Sequence, residues 1–380
     1  MSGYRIPFNK PTLVGSELGY ITEAVERGHL SGDGLFTKKC CAYLEQRLGA
    51  GKVLLTTSGT HALEMCALLL GVEPGDEVIV PSFAFVTTVN AFVLRGARPV
   101  FVDIRRDTLN LDETRIRERI TARTKAIVAL HYAGVGCEMS DLLDLSGETG
   151  VPVVEDNAHG LFGTYRGRFL GTFGTFATQS FHETKNLNCG EGGALLINDP
   201  RWIERAEIVR EKGTDRAKFF RGETDKYSWV DLGSSYLPSD ILAAFLWGQL
   251  ESHEAIQSHR ANLWRRYQEG LGGWARSNAV GLPVIPEHCS HPHHMFYLIL
   301  PTSEMRGRLI EHLGRLGILA VFHYLPLHLS EMGRRLGGRP GDCPVTEDIA
   351  DRLLRLPLSN GLTEAEQDEV IAAVRGFSGA

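Results

Sequence analysis

The sequence predicts an α/β protein, with a large domain on a mainly parallel sheet and a smaller C-terminal α/β domain. Three observations carry this. Short β-branched runs alternate with helical patterns along the first two hundred residues. The length of 380 residues exceeds one average domain. A long helical pattern from about Ser239 to about Gly270 then precedes a second, shorter set of strands and helices.

In order, "KVLLTT" (52–57) reads as a strand and "GTHALEMCALLLG" as a helix. "EVIVPS" (77–82) is a strand, followed by the helix "FVTTVNAFVLRG". "PVFVDI" (99–104), "AIVALHY" (126–132) and "VPVVED" (151–156) continue the series, with the spacing of strands covered on both faces. "TFATQSF" and "GALLIND" follow with no room for a helix between them, so a hairpin-like pair is expected at the end of the large domain. In the C-terminal part "HMFYLIL" and "LAVFHYLP" read as strands, "SEMRGRLIEHLGRLG" and "TEAEQDEVIAAVRGF" as helices. The expected boundaries are 1–250 for the large domain, with an N-terminal arm, and 251–380 for the small one. The polar stretch 211–231 has no periodicity and exceeds a usual loop, which marks it for function or an interface.

Composition removes several classes of function. A net charge of −6 with no long basic run argues against a nucleic-acid polymer as partner. The longest apolar runs, such as "ALEMCALLL", fall short of a membrane span. "MSGYRIPFNK" lacks the apolar core of a signal peptide, and seven cysteines with no CxxC suit a reduced chain, so a cytoplasmic protein is expected.

Three places could carry chemistry. Ser58, Gly59 and Thr60 lie where a strand ends and a helix begins, where unpaired amides and partial positive charge suit a phosphate; a plain N-cap uses the same residues. Asp156 ends an apolar strand, on the side where open α/β sheets bind ligands; it is equally suited to cap the next helix. Lys185 sits in "SFHETKNLNCGEGGALL" in a chain with nine lysines and thirty-one arginines. A solvated loop lysine is the ordinary reading. A nucleophilic amine is the functional one, because arginine cannot lose its proton to form a Schiff base. Together a phosphate cup, a strand-end carboxylate and a lysine match what pyridoxal phosphate needs. Phe85, in "PSFAFVTT", is available to stack on its ring, or belongs to the core. A competing metal reading rests on "EHCSHPHH" (287–294), which clusters Cys289 with four histidines but lacks the spacing of a structural zinc site, so no metal is expected.

With those residues in view, "TTSGTHALEM", "PSFAFVTTVNAFVLRGARPVFVDI", "VVEDNAHG" and "SFHETKNLNCGEGGALLIND" resemble the DegT-type sugar aminotransferases, of fold type I among pyridoxal phosphate enzymes. "SGDGLFT", "REKGT", "FFRG", "DKYSW", "GSSYL" and "VFHYLPLH" resemble the branch of dTDP-4-amino-4,6-dideoxygalactose transaminases. The resemblance implies that Lys185 joins the cofactor and Asp156 partners its ring nitrogen. It implies Gly59, Thr60 and Ser180 as phosphate ligands, Phe85 as the stacking aromatic and His159 near the ring hydroxyl. It also implies a homodimer in which Ser235, replacing an asparagine of the family pattern, reaches the neighbouring site. The implied reaction moves an amino group from L-glutamate to a nucleotide-linked ketosugar, most closely dTDP-4-keto-6-deoxyglucose, for cell-envelope glycan or natural product biosynthesis. A 4-keto pentose or 3-keto hexose acceptor would keep the same cofactor residues. A non-catalytic regulator that binds the cofactor is a further alternative, disfavoured by the complete set of Lys185, Asp156 and phosphate cup. His323 and His328 are expected to face the site, with strand-end packing the alternative for either, and Arg216, Arg221 and Lys226 are candidates for the nucleotide diphosphate or belong to a solvated polar loop.

Overall fold

The seven strands expected in the first two hundred residues enter one sheet. The computed structural model describes residues 3–378; Met1–Ser2 and Gly379–Ala380, the outer ends of the two expected domains, lie outside the described residues. The strands are β1 (Lys52–Thr56), β2 (Glu77–Pro81), β3 (Arg98–Val102), β4 (Thr124–Leu130), β5 (Val153–Asp156), β6 (Thr164–Tyr165), β7 (Arg168–Phe169), β8 (Phe176–Ser180), β9 (Gly193–Ile197), β10 (Cys289–Ser290), β11 (Phe296–Ile299) and β12 (Leu353–Leu356). The main sheet has the order β1-β9-β8-β5-β4-β2-β3. Its one antiparallel strand is β9, paired with β8 on one side and β1 on the other. The expected hairpin is therefore present, and it closes inside the sheet rather than at an edge.

Both faces of this sheet are covered, as the near-continuous apolar strands require. Leu54, Val80, Val128 and Val154 pack in one cluster with the helix Gly59–Leu69. Their neighbours Val53 and Leu55 pack with Leu44 on the opposite face, and Ile79, Ile127 and Val153 with Met139 and Leu142. Alternation along each strand also separates Glu155 from Asp156. Glu155 is fully buried and accepts from His131 Nε2 at 2.9 Å and from the amides of Gly171, Phe173 and Gly174 at 2.7 Å each. It pins a loop on one face and leaves the other face to Asp156.

The helical pattern near 240–270 resolves into two helices, Asp240–Glu251 and His253–Ser277. The second packs on the helix Glu364–Arg375, whose N-terminus carries a capping box between Thr363 and Glu366. Between them and the helix Ser303–Arg315 lies a second core, with the β11–β12 ribbon. Ile6 is buried in that core and bonds to Gly317 and Leu319, while Asn9 donates to Glu183 O at 3.1 Å and Thr12 O accepts from Gln249, so the N-terminal arm joins the second core to the large domain.

One expected strand is absent. "LAVFHYLP" makes a single bridge, Val321 with Arg355, and otherwise runs irregularly. His323 and Tyr324 stack on each other with ring centroids 3.6 Å apart. Adjacent side chains on a pleated strand point to opposite faces, so this stacking is incompatible with one.

Candidate active site

A cavity of about 990 Å³ opens at the carboxyl ends of β4, β5 and β8. Ser58, Gly59, Thr60, Phe85, Asp156, His159, Ser180, Lys185 and His323 all line it. Nine of the residues singled out in the sequence, scattered over more than 260 positions, therefore share one cavity.

Asp156 ends β5 and is buried. Its Oδ2 accepts from Thr88 Oγ1 at 2.7 Å and its Oδ1 from the Ala158 amide at 3.2 Å. The local capping role is thus real, and it also holds the carboxylate in one orientation. Lys185 lies in the turn between β8 and β9, its amide bonded to His182 O at 2.9 Å. Its side chain is half-buried and lines the cavity. Burial lowers its amine to about 8, opposed by the Asp156 carboxylate and reinforced by the Arg355 guanidinium.

The Ser58 side chain caps the helix Gly59–Leu69 by accepting from the His61 amide at 3.1 Å. The helix end beside it faces the cavity, so the cap and the anion cradle coexist. Gly59 has the shape a cradle needs. A Cβ there would stand 3.1 Å from both Gln179 O and the Ser180 Cβ. Gly193 is tighter: its Cβ would meet the Ser58 carbonyl carbon at 2.3 Å, so β9 can lie against this loop only with glycine.

Phe85 is 55 % exposed, an aromatic turned into the cavity rather than into the core. His159 stacks on His294 at 4.4 Å, with its Nε2 3.3 Å from Tyr324 OH and its Nδ1 without a partner among the described residues. His323 Nδ1 meets Tyr132 OH at 2.7 Å. Burial pushes His159, His294 and His323 all well below the usual imidazole range, so this wall is uncharged at neutral pH.

Other expected residues lie elsewhere. His328 does not face the cavity: it is fully buried, with Nδ1 2.6 Å from Ser82 Oγ and Nε2 3.0 Å from Glu347 Oε1. Both ring nitrogens are occupied, so it holds the chain after Pro326 in place. Arg216 pairs with Glu211 at 3.1 Å, and Arg221 with Glu207 and Glu223 at 2.7 Å each. With the exposed Lys226 and Ser235 they lie outside this cavity. Among the described residues no group of three or more His, Cys, Asp or Glu side chains is arranged to hold a metal ion. The side chains of "EHCSHPHH" separate instead into three places: His288 turns to Glu138, His291 and His293 pack together at 4.2 Å beside Trp264, and His294 turns to the cavity.

Arg355, Thr88 and Tyr324 also line the cavity and were missed. The available signal for Arg355 was a cation inside the apolar run "RLLRLPL", between two leucines that prove fully buried.

The DegT/DnrJ/EryC1/StrS aminotransferase family matches residues 11–375. The spore coat polysaccharide biosynthesis protein SpsC of Bacillus subtilis is 30 % identical over 383 aligned residues, covering 97 % of this chain and 96 % of its own. The aminotransferase TlmJ from Streptoalloteichus hindustanus superimposes with a TM-score of 0.90 at 32 % identity, covering 98 % of each chain. Spr1654 from Streptococcus pneumoniae in its PLP form gives 0.90 at 26 % identity, again over 98 % of each.

Proposed function

The chain belongs to the DegT/DnrJ/EryC1/StrS aminotransferase family and is a pyridoxal phosphate-dependent sugar aminotransferase; on that premise we propose that it moves the amino group of L-glutamate to dTDP-4-keto-6-deoxy-D-glucose, giving a dTDP-4-amino-4,6-dideoxyhexose. The observation that supports this most is the meeting of Lys185, Asp156 and the bare Gly59 cradle in one cavity.

These residues fit the cofactor. The amides at Gly59 and Thr60 and the Ser180 hydroxyl would hold its phosphate. Asp156, fixed by Thr88, would keep a proton on its ring nitrogen. The open Nδ1 of His159 suits the ring hydroxyl, and Phe85 would stack on a ring face. Pyridoxal phosphate, when bound, supplies an aldehyde and an electron-accepting ring. Lys185 does the proton work. An amine near 8 is a usable base and, once charged, a usable acid, so Nζ can take a proton from the donor carbon and return it nearby. The neutral wall of His159, His294 and His323 neither repels a cationic amine nor competes for that proton.

Residues 1–250 act as the cofactor domain and 251–380 as the smaller one. The enzyme works as a homodimer, in which the face carrying Ser235, Arg216, Arg221 and Lys226 meets the cavity of a second copy. Its support is the exposed apolar surface beside it, with Phe220 70 % and Trp229 78 % exposed. All seven cysteines are free, which suits the reducing cytoplasm. Among the described residues no helix is long and apolar enough to cross a membrane.

The test uses the two halves of the reaction. L-Glutamate should bleach the yellow holoenzyme. After removal of the donor, dTDP-4-keto-6-deoxyglucose should restore the absorbance. Bleaching without restoration would reject this hexose and direct the search to pentose and 3-keto acceptors.

A further inference from the structure

His294 lines the cavity beside His159, the two rings stacked at 4.4 Å and 20°. The protonation of its ring is fixed by Asn186, the residue after Lys185. Asn186 is buried, and its Nδ2 lies 2.7 Å from Pro292 O and 3.2 Å from Gln257 Oε1. A backbone carbonyl only accepts, so the amide nitrogen has to face it and the amide oxygen points the other way. That oxygen lies 2.9 Å from His294 Nδ1. An amide oxygen also only accepts, so Nδ1 carries the ring proton. Burial, then the neighbouring His159, Lys185, Arg260 and Arg355, hold this imidazole well below its usual range, so Nε2 keeps a bare lone pair. One frame holds both residues. Arg260 donates to His294 O at 2.6 Å and to Asn360 Oδ1 at 2.9 Å, and Asn360 Nδ2 donates to Asn186 O at 2.9 Å.

Nε2 lies across the ring from Nδ1, on the side away from Asn186, and has no hydrogen-bond partner among the described residues. The hydroxyls of Ser58, Thr60, Ser180 and Tyr324 in the same cavity can rotate to donate or to accept. This nitrogen can only accept. Resting on the aminotransferase reading above, we propose that His294 determines sugar specificity by accepting a hydrogen bond from the ketosugar hydroxyl next to the reacting carbon. His294 is close enough to Lys185 to feel its charge, so it stands at the reacting end of the cavity. In a 4-keto-6-deoxyhexose the reacting carbon has two neighbours. C3 carries a hydroxyl, whereas C5 carries a methyl group and the ring oxygen. The 3-hydroxyl is therefore the one donor beside C4. The carboxylates of an amino-acid donor offer Nε2 lone pairs alone, so the contact belongs to the sugar half of the reaction. A site built to pair with a hydroxyl rejects a substrate that lacks it, because the enclosed acceptor is then left unpaired.

The experiment starts from holoenzyme bleached by L-glutamate and freed of donor. Return of the yellow absorbance is followed against the concentration of dTDP-4-keto-6-deoxyglucose and of its 3-deoxy analogue. Wild type should need about tenfold or more of the analogue. His294→Phe keeps a ring against His159 and deletes the acceptor. It should need about tenfold more of the first sugar and treat the two sugars alike within about threefold. His294→Gln, which again offers an acceptor, should recover part of the discrimination. Bleaching by L-glutamate shows that each variant is folded and loaded. Nitrogen NMR of histidine-labelled holoenzyme reads the ring directly: the signals missing from His294→Phe should be those of a neutral imidazole protonated at Nδ1. A ring protonated at Nε2 overturns the proposal. So does equal discrimination in wild type and His294→Phe, or a rise in the glutamate needed that matches the rise for the sugar. If neither sugar restores the absorbance of bleached wild type, the acceptor reading fails and this proposal with it; restoration with unchanged discrimination removes His294 alone.

Discussion

Thr88 Oγ1 donates to Asp156 Oδ2 at 2.7 Å, inside the buried floor of the cavity. Thr88 belongs to the helix Val86–Val93 and Asp156 to the end of β5, so this bond joins two elements where the ring nitrogen of the cofactor would lie. Thr88→Val keeps the shape and deletes the donor. A bond to a charged acceptor contributes about 1.5–3 kcal/mol, so cofactor affinity should fall about tenfold or more, and Thr88→Ser should restore it. Equilibrium dialysis of the cofactor checks this; an unchanged affinity would show that Asp156 needs no such support.

Lys185→Ala should reduce turnover about a thousandfold or more, since it removes both the nucleophile and the proton carrier. The Gly59 cradle and Asp156 remain, so the protein should still hold cofactor noncovalently. Release of 2-oxoglutarate and the absorbance spectrum read the two properties separately.

The Lys185 amine titrates near 8, against 10.5 for a free lysine. In the cofactor-free protein its reductive methylation should rise through a midpoint near pH 8. Arg355→Met removes a positive neighbour that destabilises the ammonium, so the midpoint should move up. Asp156→Asn removes a negative neighbour that stabilises it, so the midpoint should move down. Between the two pKa values the unfolded chain binds more protons than the folded one, so Lys185 makes apo-protein stability rise with pH from about 8 to 10.5. Lys185→Met should flatten that rise in pH-dependent urea unfolding.

His328→Ala should cost about 2–4 kcal/mol of stability, from a buried void and from the lost imidazole hydrogen bonds to Ser82 and Glu347. Cofactor affinity should stay within about threefold, because neither ring nitrogen reaches the cavity. Urea unfolding together with cofactor titration separates the two. A large loss of affinity without loss of stability would return His328 to the site.

Gly193→Ala places a Cβ 2.3 Å from the Ser58 carbonyl carbon and 2.4 Å from the Gly59 nitrogen. Overpacking of this kind costs about 1–3 kcal/mol, and here it pushes directly on the phosphate cradle. Melting temperature and cofactor affinity should both fall. If both hold, β9 and the cradle are not in the close contact described.

The local chemistry was legible in the sequence because it depends on residue type and near neighbours. Apolar periodicity placed the seven strands, since a strand covered on both faces must be apolar along its length. Gly59 at a helix start, Asp156 at a strand end and a rare lysine at 185 each signal their role within a few residues. The 319–326 strand failed because the run is apolar for a different reason: His323 and Tyr324 stack into the cavity wall, a contact made with residues far along the chain. His328 lies off the cavity and Arg355 on it for reasons of the same kind. A histidine beside a cavity and a histidine tied to Ser82 and Glu347 have the same sequence appearance, and one arginine among thirty-one shows no sign of lining a cavity. The sequence by itself determined the class of sheet, the cofactor chemistry and the family. Only the tertiary structure decided which charges are paired and which remain open to a substrate, because pairing is set by distances between segments hundreds of residues apart.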